Sequence, residues 1–326
     1  MSVAVASPLR YSHTIGVLGH GGRGFSNPVD VAIRSDGVMF VLNRSNPTQG
    51  PPGGLRVGIV RVDDQEFLGD FGGHGLEDGQ FYWMTAIALD KDQNIYIADE
   101  YRHDVQVFDR DGVFLRKWGS FGTGPGQLNR PSGLAVSNDD VVYVVDHLNH
   151  RIQKLTPTGE PIGSWGSQGT APGQLDLPWG IAVDVQGDVY VADWRNDRVQ
   201  KLSPDGEHIA TFGEPGAGDG QLTRPSGVDV DGEGNVYVAD WGNNRVLMFG
   251  PDGSHLVTLL GDSGLSAWAE EGMKGNLDLV LEREGMDLTP EMRFWGPTAV
   301  KVDARGHVVV ADSCRHRLQV YQRTSP

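Results

Sequence analysis

The sequence predicts an all-β, six-bladed β-propeller of four-stranded antiparallel blades, and three observations carry that prediction. A Pro-x-Gly phrase returns at a fixed period: Pro131-Ser132-Gly133, Pro178-Trp179-Gly180 and Pro225-Ser226-Gly227 stand 47 residues apart, a period of the size that repeat architectures use. Each unit then has an aromatic and apolar stretch ending in Asp, as in Tyr190-Val191-Ala192-Asp193 and Tyr237-Val238-Ala239-Asp240, followed by Asn-x-Arg and another apolar stretch. Short β-branched runs parted by Asn, Asp and Gly are hairpin chemistry, and four such strands make one propeller blade.

In the third unit the strands fall at Leu134 to Val136, Val141 to Val145, Ile152 to Leu155 and Pro161 to Trp165. Inner strands begin near Val29, Thr85, Ser132, Trp179, Ser226 and Thr298, which makes six units. The sixth supplies only three strands, Val300 to Val302, His307 to Ala311 and Leu318 to Tyr321. Its fourth is expected from the N-terminus over residues 13–19, where Thr14-Ile15-Gly16-Val17-Leu18-Gly19 aligns with Phe114-Leu115-Arg116-Lys117-Trp118-Gly119. That pairing closes the ring and removes an open sheet edge.

The Pro-x-Gly, Tyr-Val-Ala-Asp, Asn-x-Arg and Phe/Trp-Gly…Gly-Gln-Leu/Phe elements resemble the NHL repeat family of six-bladed propellers over nearly the whole chain. The resemblance implies the fold and leaves function open, because the family includes RNA binders, protein-binding sensors and a peptidyl-hydroxyglycine amidating lyase. In that lyase, histidines at inner-strand starts hold zinc. The matching positions here are Val29, Thr85, Ser132, Trp179, Ser226 and Thr298, so the resemblance does not carry the zinc over.

Length alone would suggest two domains, but the period makes residues 1–326 one domain. The 46 Gly and 18 Pro are what tight turns in every blade require. No stretch approaches the roughly 20 apolar residues of a membrane span, and no basic-then-apolar leader opens the chain, so it reads as soluble and cytoplasmic. A single cysteine, Cys314, excludes an internal disulfide and fits a reducing compartment. With 27 Lys and Arg against 43 Asp and Glu, the net charge of −16 opposes a phosphate backbone. Nucleic acid is therefore disfavoured as a partner, although Arg130 and Arg224 fall at equivalent places and could make a local basic patch.

Within a blade the loop after the second strand and the loop to the next blade open on one face, the top, where the inner strands also begin. Function is sought where the repeat is broken there. Two insertions belong to this face: 44–56, where Pro28 to the equivalent Met84 spans 56 residues, and 262–296, where Pro225 to Pro297 spans 72. The first is Pro/Gly-rich, Asn46 to Gly54. In the second, Ser266 can cap a helix bearing Trp268, and Asn276 one bearing Leu277, Val280 and Leu281 and ending at Gly285. A lid over the channel is the expected role of this insertion.

Trp118 and Trp165 align with Phe71 and Phe212 as packing residues, whereas Trp83, Trp179, Trp194, Trp241 and Trp295 fall on the top. Trp295 is expected to pack between blades or beneath the insertion. The recurring Asp99, Asp146, Asp193, Asp240 and Asp312 mostly stand five residues before an arginine and read as loop braces, as do His103, His150 and His316.

The predicted site is a tryptophan-lined top-face cavity for a small organic molecule, with Asp30, Arg44, Trp83, Thr85, Tyr101, Trp179, Trp194, Arg195, Trp241 and Cys314 as ligand-binding candidates. Asp30 stands where other blades have Gly. Glu100 and His147, at equivalent loop positions of adjacent blades, are the catalytic candidates for general acid and base work in a lyase, hydrolase or isomerase, with Arg44 or Arg195 holding an anionic group. Cys314 is expected to be a buried, inert thiol. A metal held by His20, His74 and His147 is the weaker expectation, and neither metal nor cofactor is predicted. The alternative to a small-molecule site is a protein-interaction scaffold.

Overall fold

The computed structural model describes residues 7–45 and 54–324, so most of the Pro/Gly-rich loop, 46–53, lies outside the described residues. Six four-stranded antiparallel sheets form the ring. Blade one comprises Pro28–Ile33, Val38–Arg44, Leu55–Arg61 and Phe67–Phe71; blade two comprises Met84–Leu89, Ile95–Asp99, Asp104–Phe108 and Phe114–Trp118. The inner strands of blades three to six are Pro131–Val136, Ile181–Val183, Pro225–Val230 and Pro297–Val302. Second strands are buried throughout, as in Ile95–Asp99 and Val189–Asp193, because each blade packs both faces against neighbours. Among the described residues no helix is long and apolar enough to cross a membrane.

The N-terminal strand does close the ring: Leu9–Ile15 pairs antiparallel with Arg317–Arg323, from Leu9 opposite Arg323 to Ile15 opposite Leu318. It lies earlier than the expected 13–19. Gly16, at φ +104°, occupies the place of Gly119, at φ +99°, and Leu18 bridges Phe25 as Phe121 bridges Leu128. The alignment of Gly19 with Gly119 is therefore displaced by three residues, a consequence of choosing between two glycines with no other landmark.

Hydroxyls at the second position of the inner strands join one inner strand to the next. Thr85 Oγ1 donates to the Pro131 carbonyl at 2.8 Å, Ser132 to Pro178 at 3.1 Å, Ser226 to Pro297 at 3.1 Å and Thr298 to Pro28 at 3.3 Å. Blade one carries Val29 there, and Asp30 beside it does the joining, with Oδ2 accepting the Ile87 amide of blade two at 3.0 Å. Inner strands approach so closely that a Cβ on Gly180 would stand 2.7 Å from the Ser226 carbonyl and one on Gly227 2.9 Å from Ala299 Cα.

A second ring of bonds runs through left-handed residues after the second strands. His103, His150 and His316 accept through Nδ1 the amides of Arg130, Leu177 and Asn27 in the following blade, each at 3.1 Å. Asp197 and Asn244 do the same with their side-chain oxygens toward Arg224 and Gly296, each at 2.7 Å. The repeating aspartates brace loops as expected: Asp193 accepts the Asp176 amide, Asn196 Nδ2, Arg198 Nε and Gln200 Nε2. Arg198 passes the restraint on to the Ala171 and Gln174 carbonyls.

The large insertion forms three short helices, α1 (Ala267–Met273), α2 (Leu277–Glu284) and α3 (Thr289–Met292). Ser266 caps α1 as predicted, accepting the Ala269 amide at 3.1 Å. The contacts of α1, however, are those of a clasp, which corrects the expected lid. Trp268 is buried against Phe25 and Phe67, and its Nε1 donates to the Gln65 carbonyl at 2.8 Å. Just before it, the Gly264 amide donates to Tyr11 of the closing strand, and Ser263 bonds Thr14. Trp268 thus buries its apolar surface at the junction of blades six and one, where the ring is closed.

Candidate functional site

A cavity of about 290 Å³ opens on the top face among Arg44, Trp83, Trp241, Thr298, Ser313 and Cys314, spanning blades one, two, five and six. Arg44 ends the second strand of blade one and lays its guanidinium over the Trp83 ring, 5.0 Å from the centroid. Its nearest carboxylate is Glu100, at 3.9 Å. Burial depresses the Arg44 pKa, opposed by Glu100 and Asp99, and the group remains a cation at neutral pH. Trp241 follows Asp240 in a short turn, Trp241–Asn243, and is 39% exposed toward the opening.

Cys314 lies in the equivalent turn of blade six, Ser313–Arg315, and is exposed, not buried as expected. Desolvation and then Asp312 push its thiol above the ordinary range in spite of Arg315, so the thiolate needed for nucleophilic attack is scarce at neutral pH.

Glu100 and His147 each sit in a desolvated setting. Burial raises the Glu100 pKa against the pull of Arg44 and Arg130. Burial lowers that of His147, whose Nδ1 donates to the Pro178 carbonyl at 2.9 Å, leaving Nε2 with its lone pair in the neutral ring. The His147 ring meets Trp179 edge-on at 5.0 Å. Among the described residues no hydrogen bond or ion pair joins Glu100 to His147; Arg130 lies in the field of both. Neither lines the 290 Å³ cavity: Glu100 stands 3.9 Å from Arg44, which does, and His147 stands against Trp179 of the upper channel.

Asp30, Thr85 and Trp179 line a smaller space of about 30 Å³ in the upper channel, room for one water. The Thr85 proton and both Asp30 oxygens are committed to backbone partners there. Trp194, Arg195 and Tyr101 lie outside the lining of the cavity. Trp194 is capped by Arg224 at 4.9 Å, Arg195 is exposed 4.0 Å from Asp176, and Tyr101 stacks on Tyr82 at 3.9 Å. Trp295, expected to be packed away, is 56% exposed beneath Arg315, because the insertion that was to cover it lies at the blade six and one junction instead. Sequence reasoning missed the pairing of Arg44, Arg224 and Arg315 with three tryptophans, since each partner comes from a different stretch of chain. Among the described residues no three His, Cys, Asp or Glu side chains gather as a metal would require, and His74 packs instead against Tyr82.

Four segments, 128–155, 175–202, 222–249 and 294–321, match the NHL repeat. With six antiparallel blades closed around them, the chain is a six-bladed β-propeller that carries four NHL repeats. No curated protein matches it in sequence. Solved structures of similar shape include a protein of unknown function from Bacteroides thetaiotaomicron, at 19% identity and TM-score 0.64, covering 96% of this chain and 76% of that one. An auxiliary nutrient binding protein from Bacteroides ovatus is similar at 12% identity and TM-score 0.62, covering 97% and 77%. A catalytically inactive histidine-to-alanine variant of virginiamycin B lyase from Staphylococcus aureus, with quinupristin, is similar at 9% identity and TM-score 0.58, covering 96% and 99%. At these identities the likeness is one of fold.

Proposed function

We propose that the top-face cavity binds a small organic molecule carrying an anionic group, with Glu100 and His147 supplying acid and base chemistry beside it. The observation that carries this reading is Arg44: a half-buried guanidinium set over the Trp83 ring, 5.0 Å from its centroid, with its nearest carboxylate at 3.9 Å, on the wall of a 290 Å³ cavity. A stacked, partly dehydrated guanidinium keeps edge N–H donors for a planar carboxylate. Trp241 supplies apolar wall opposite, and Ser313 a polar group. In a lyase, hydrolase or isomerase His147 would take a proton through Nε2, and Glu100, whose pKa burial raises, would give one. Fold neighbours that include a lyase and a nutrient-binding protein are compatible with a small ligand.

A thermal-shift screen of metabolites against the wild type and Arg44→Ala tests the reading. The expected result is a set of carboxylate hits that stabilise the wild type and lose at least tenfold in affinity in the variant. Hits that bind both equally would move the ligand elsewhere. The scaffold reading is favoured by a separate observation, the exposure of Phe121, Tyr101 and Trp295 on the same face. These are residue types that dominate protein interfaces, and charge reversal at Arg315 would weaken such a partner without touching small-molecule binding.

A further inference from the structure

The channel has a second break in the repeat, below the first. At the fifth position of the inner strands four blades place alanine, Ala32, Ala88, Ala135 and Ala182, while blades five and six place Asp229 and Lys301. Opposite charges therefore stand side by side at one level of the channel, with small residues across from them. The space so left is a cavity of about 220 Å³, walled by Val31, Ile33, Ile87, Val136 and Val183 among other aliphatic groups, and among the described residues Asp229 and Lys301 are its only charged side chains.

This pair is not a closed salt bridge. Among the described residues no carboxylate lies within 4 Å of the Lys301 ammonium, and no protein acceptor takes a hydrogen bond from it, although Asp30 and Asp229 both act on it electrostatically. Burial works against the Lys301 charge, but those two carboxylates outweigh it and keep the group protonated. Protein surrounds Lys301 closely, yet the side chain reaches the lumen and borders the spaces above and below it. A part-buried ammonium without a protein acceptor takes its hydrogen bonds from whatever fills the channel. Asp229 accepts the Val302 amide at 2.7 Å through Oδ2 and also the amide of Val230, and a carboxylate with two acceptor oxygens keeps further lone pairs for a donor in the lumen.

We propose that the lower channel is a binding site for a small aliphatic zwitterion of amino-acid size. The carboxylate of the ligand meets Lys301, its ammonium meets Asp229, and its alkyl body lies against the valine and isoleucine wall. Two acids, Asp30 and Asp229, against one lysine disfavour a simple anion, and a simple amine leaves Lys301 unmet. Only a molecule with both charges answers both side chains, and 220 Å³, about seven waters of liquid volume, limits it to a short side chain.

Calorimetry on the whole chain with L-valine, pentanoate and butylamine tests this. Saturable binding of valine, with both single-charge analogues at least tenfold weaker, is the expected result. Asp229→Asn, a near-isosteric change, should weaken valine at least tenfold while the protein stays folded by circular dichroism; Lys301→Met should do the same if it folds. Arg44→Ala should leave valine affinity unchanged, which separates this site from the top-face cavity. No saturable binding of valine at millimolar concentration overturns the proposal, as does equal binding of pentanoate or butylamine, wild-type affinity in folded Asp229→Asn, or loss of valine binding in Arg44→Ala.

Discussion

The Asp30 carboxylate of blade one accepts the Ile87 amide of blade two at 3.0 Å, taking the part that a serine or threonine hydroxyl plays at four other blade junctions. Asp30→Ala should therefore destabilise the fold by about 1–3 kcal/mol, the cost of a buried amide left without its acceptor. Asp30→Asn keeps an acceptor oxygen and removes a carboxylate whose pKa burial has raised, so its cost should be much smaller. Denaturant midpoints of the two variants check this; equal losses would mean that the charge, not the bond to Ile87, matters.

The histidine ring of bonds makes stability depend on pH. His103 and His316 accept amide protons through Nδ1, and burial lowers both pKa values from the ordinary 6.5. The unfolded chain then takes up protons before the folded one does. The contribution is fully present above about pH 6.5 and is lost as pH falls through the lowered values. His103→Asn and His316→Asn imitate Asn244, which makes the same bond with an oxygen that does not titrate. Melting temperatures of the double variant should fall less steeply below pH 6.5 than those of the wild type; parallel curves would remove the histidines as the cause.

The blades were legible in the sequence because each repeats a local code: Pro-x-Gly where strands nearly touch, Asp with Arg five residues on, and Gly turns. The site was legible only in part. Arg44, Trp83, Trp241 and Cys314 do share a cavity, but their neighbours, Ser313 and Asn27, look ordinary in sequence. Asp30 stood out correctly as a break in the repeat, yet its role is to replace the missing hydroxyl of Val29. The lid was misread because an apolar helix face shows that something is covered without showing what; Trp268 covers Phe25 and Phe67. Asp229 and Lys301 are visible in the sequence as departures from four alanines at one inner-strand position.

Ring closure gives a prediction about folding. Removing residues 1–16 deletes the strand Leu9–Ile15, exposes the edge of Arg317–Arg323 and strips the insertion of Tyr11 and Thr14. The truncated chain should aggregate or unfold without a cooperative transition. A calorimetric melt like that of the full chain would show that the strand is dispensable, leaving α1 and the blade six sheet sufficient.

Chemistry at the mouth gives the last. If Glu100 gives a proton and His147 takes one, the rate should rise with pH through a His147 value below 6.5 and fall through a Glu100 value above the ordinary 4.5, placing the optimum on the acid side of neutrality. Among the described residues no bond joins the two groups, and each has its own neighbours, Arg44 for Glu100 and Trp179 for His147, so each should act on a different part of the substrate. Glu100→Gln and His147→Ala should each lower kcat by about a hundredfold; melting should stay nearly unchanged in Glu100→Gln, while His147→Ala also loses a buried bond to the Pro178 carbonyl and some stability with it. Arg130→Gln removes a cation that opposes protonation of both groups, and should move both limbs of the profile toward higher pH. Full turnover in both Glu100→Gln and His147→Ala would leave the cavity as a binding site alone.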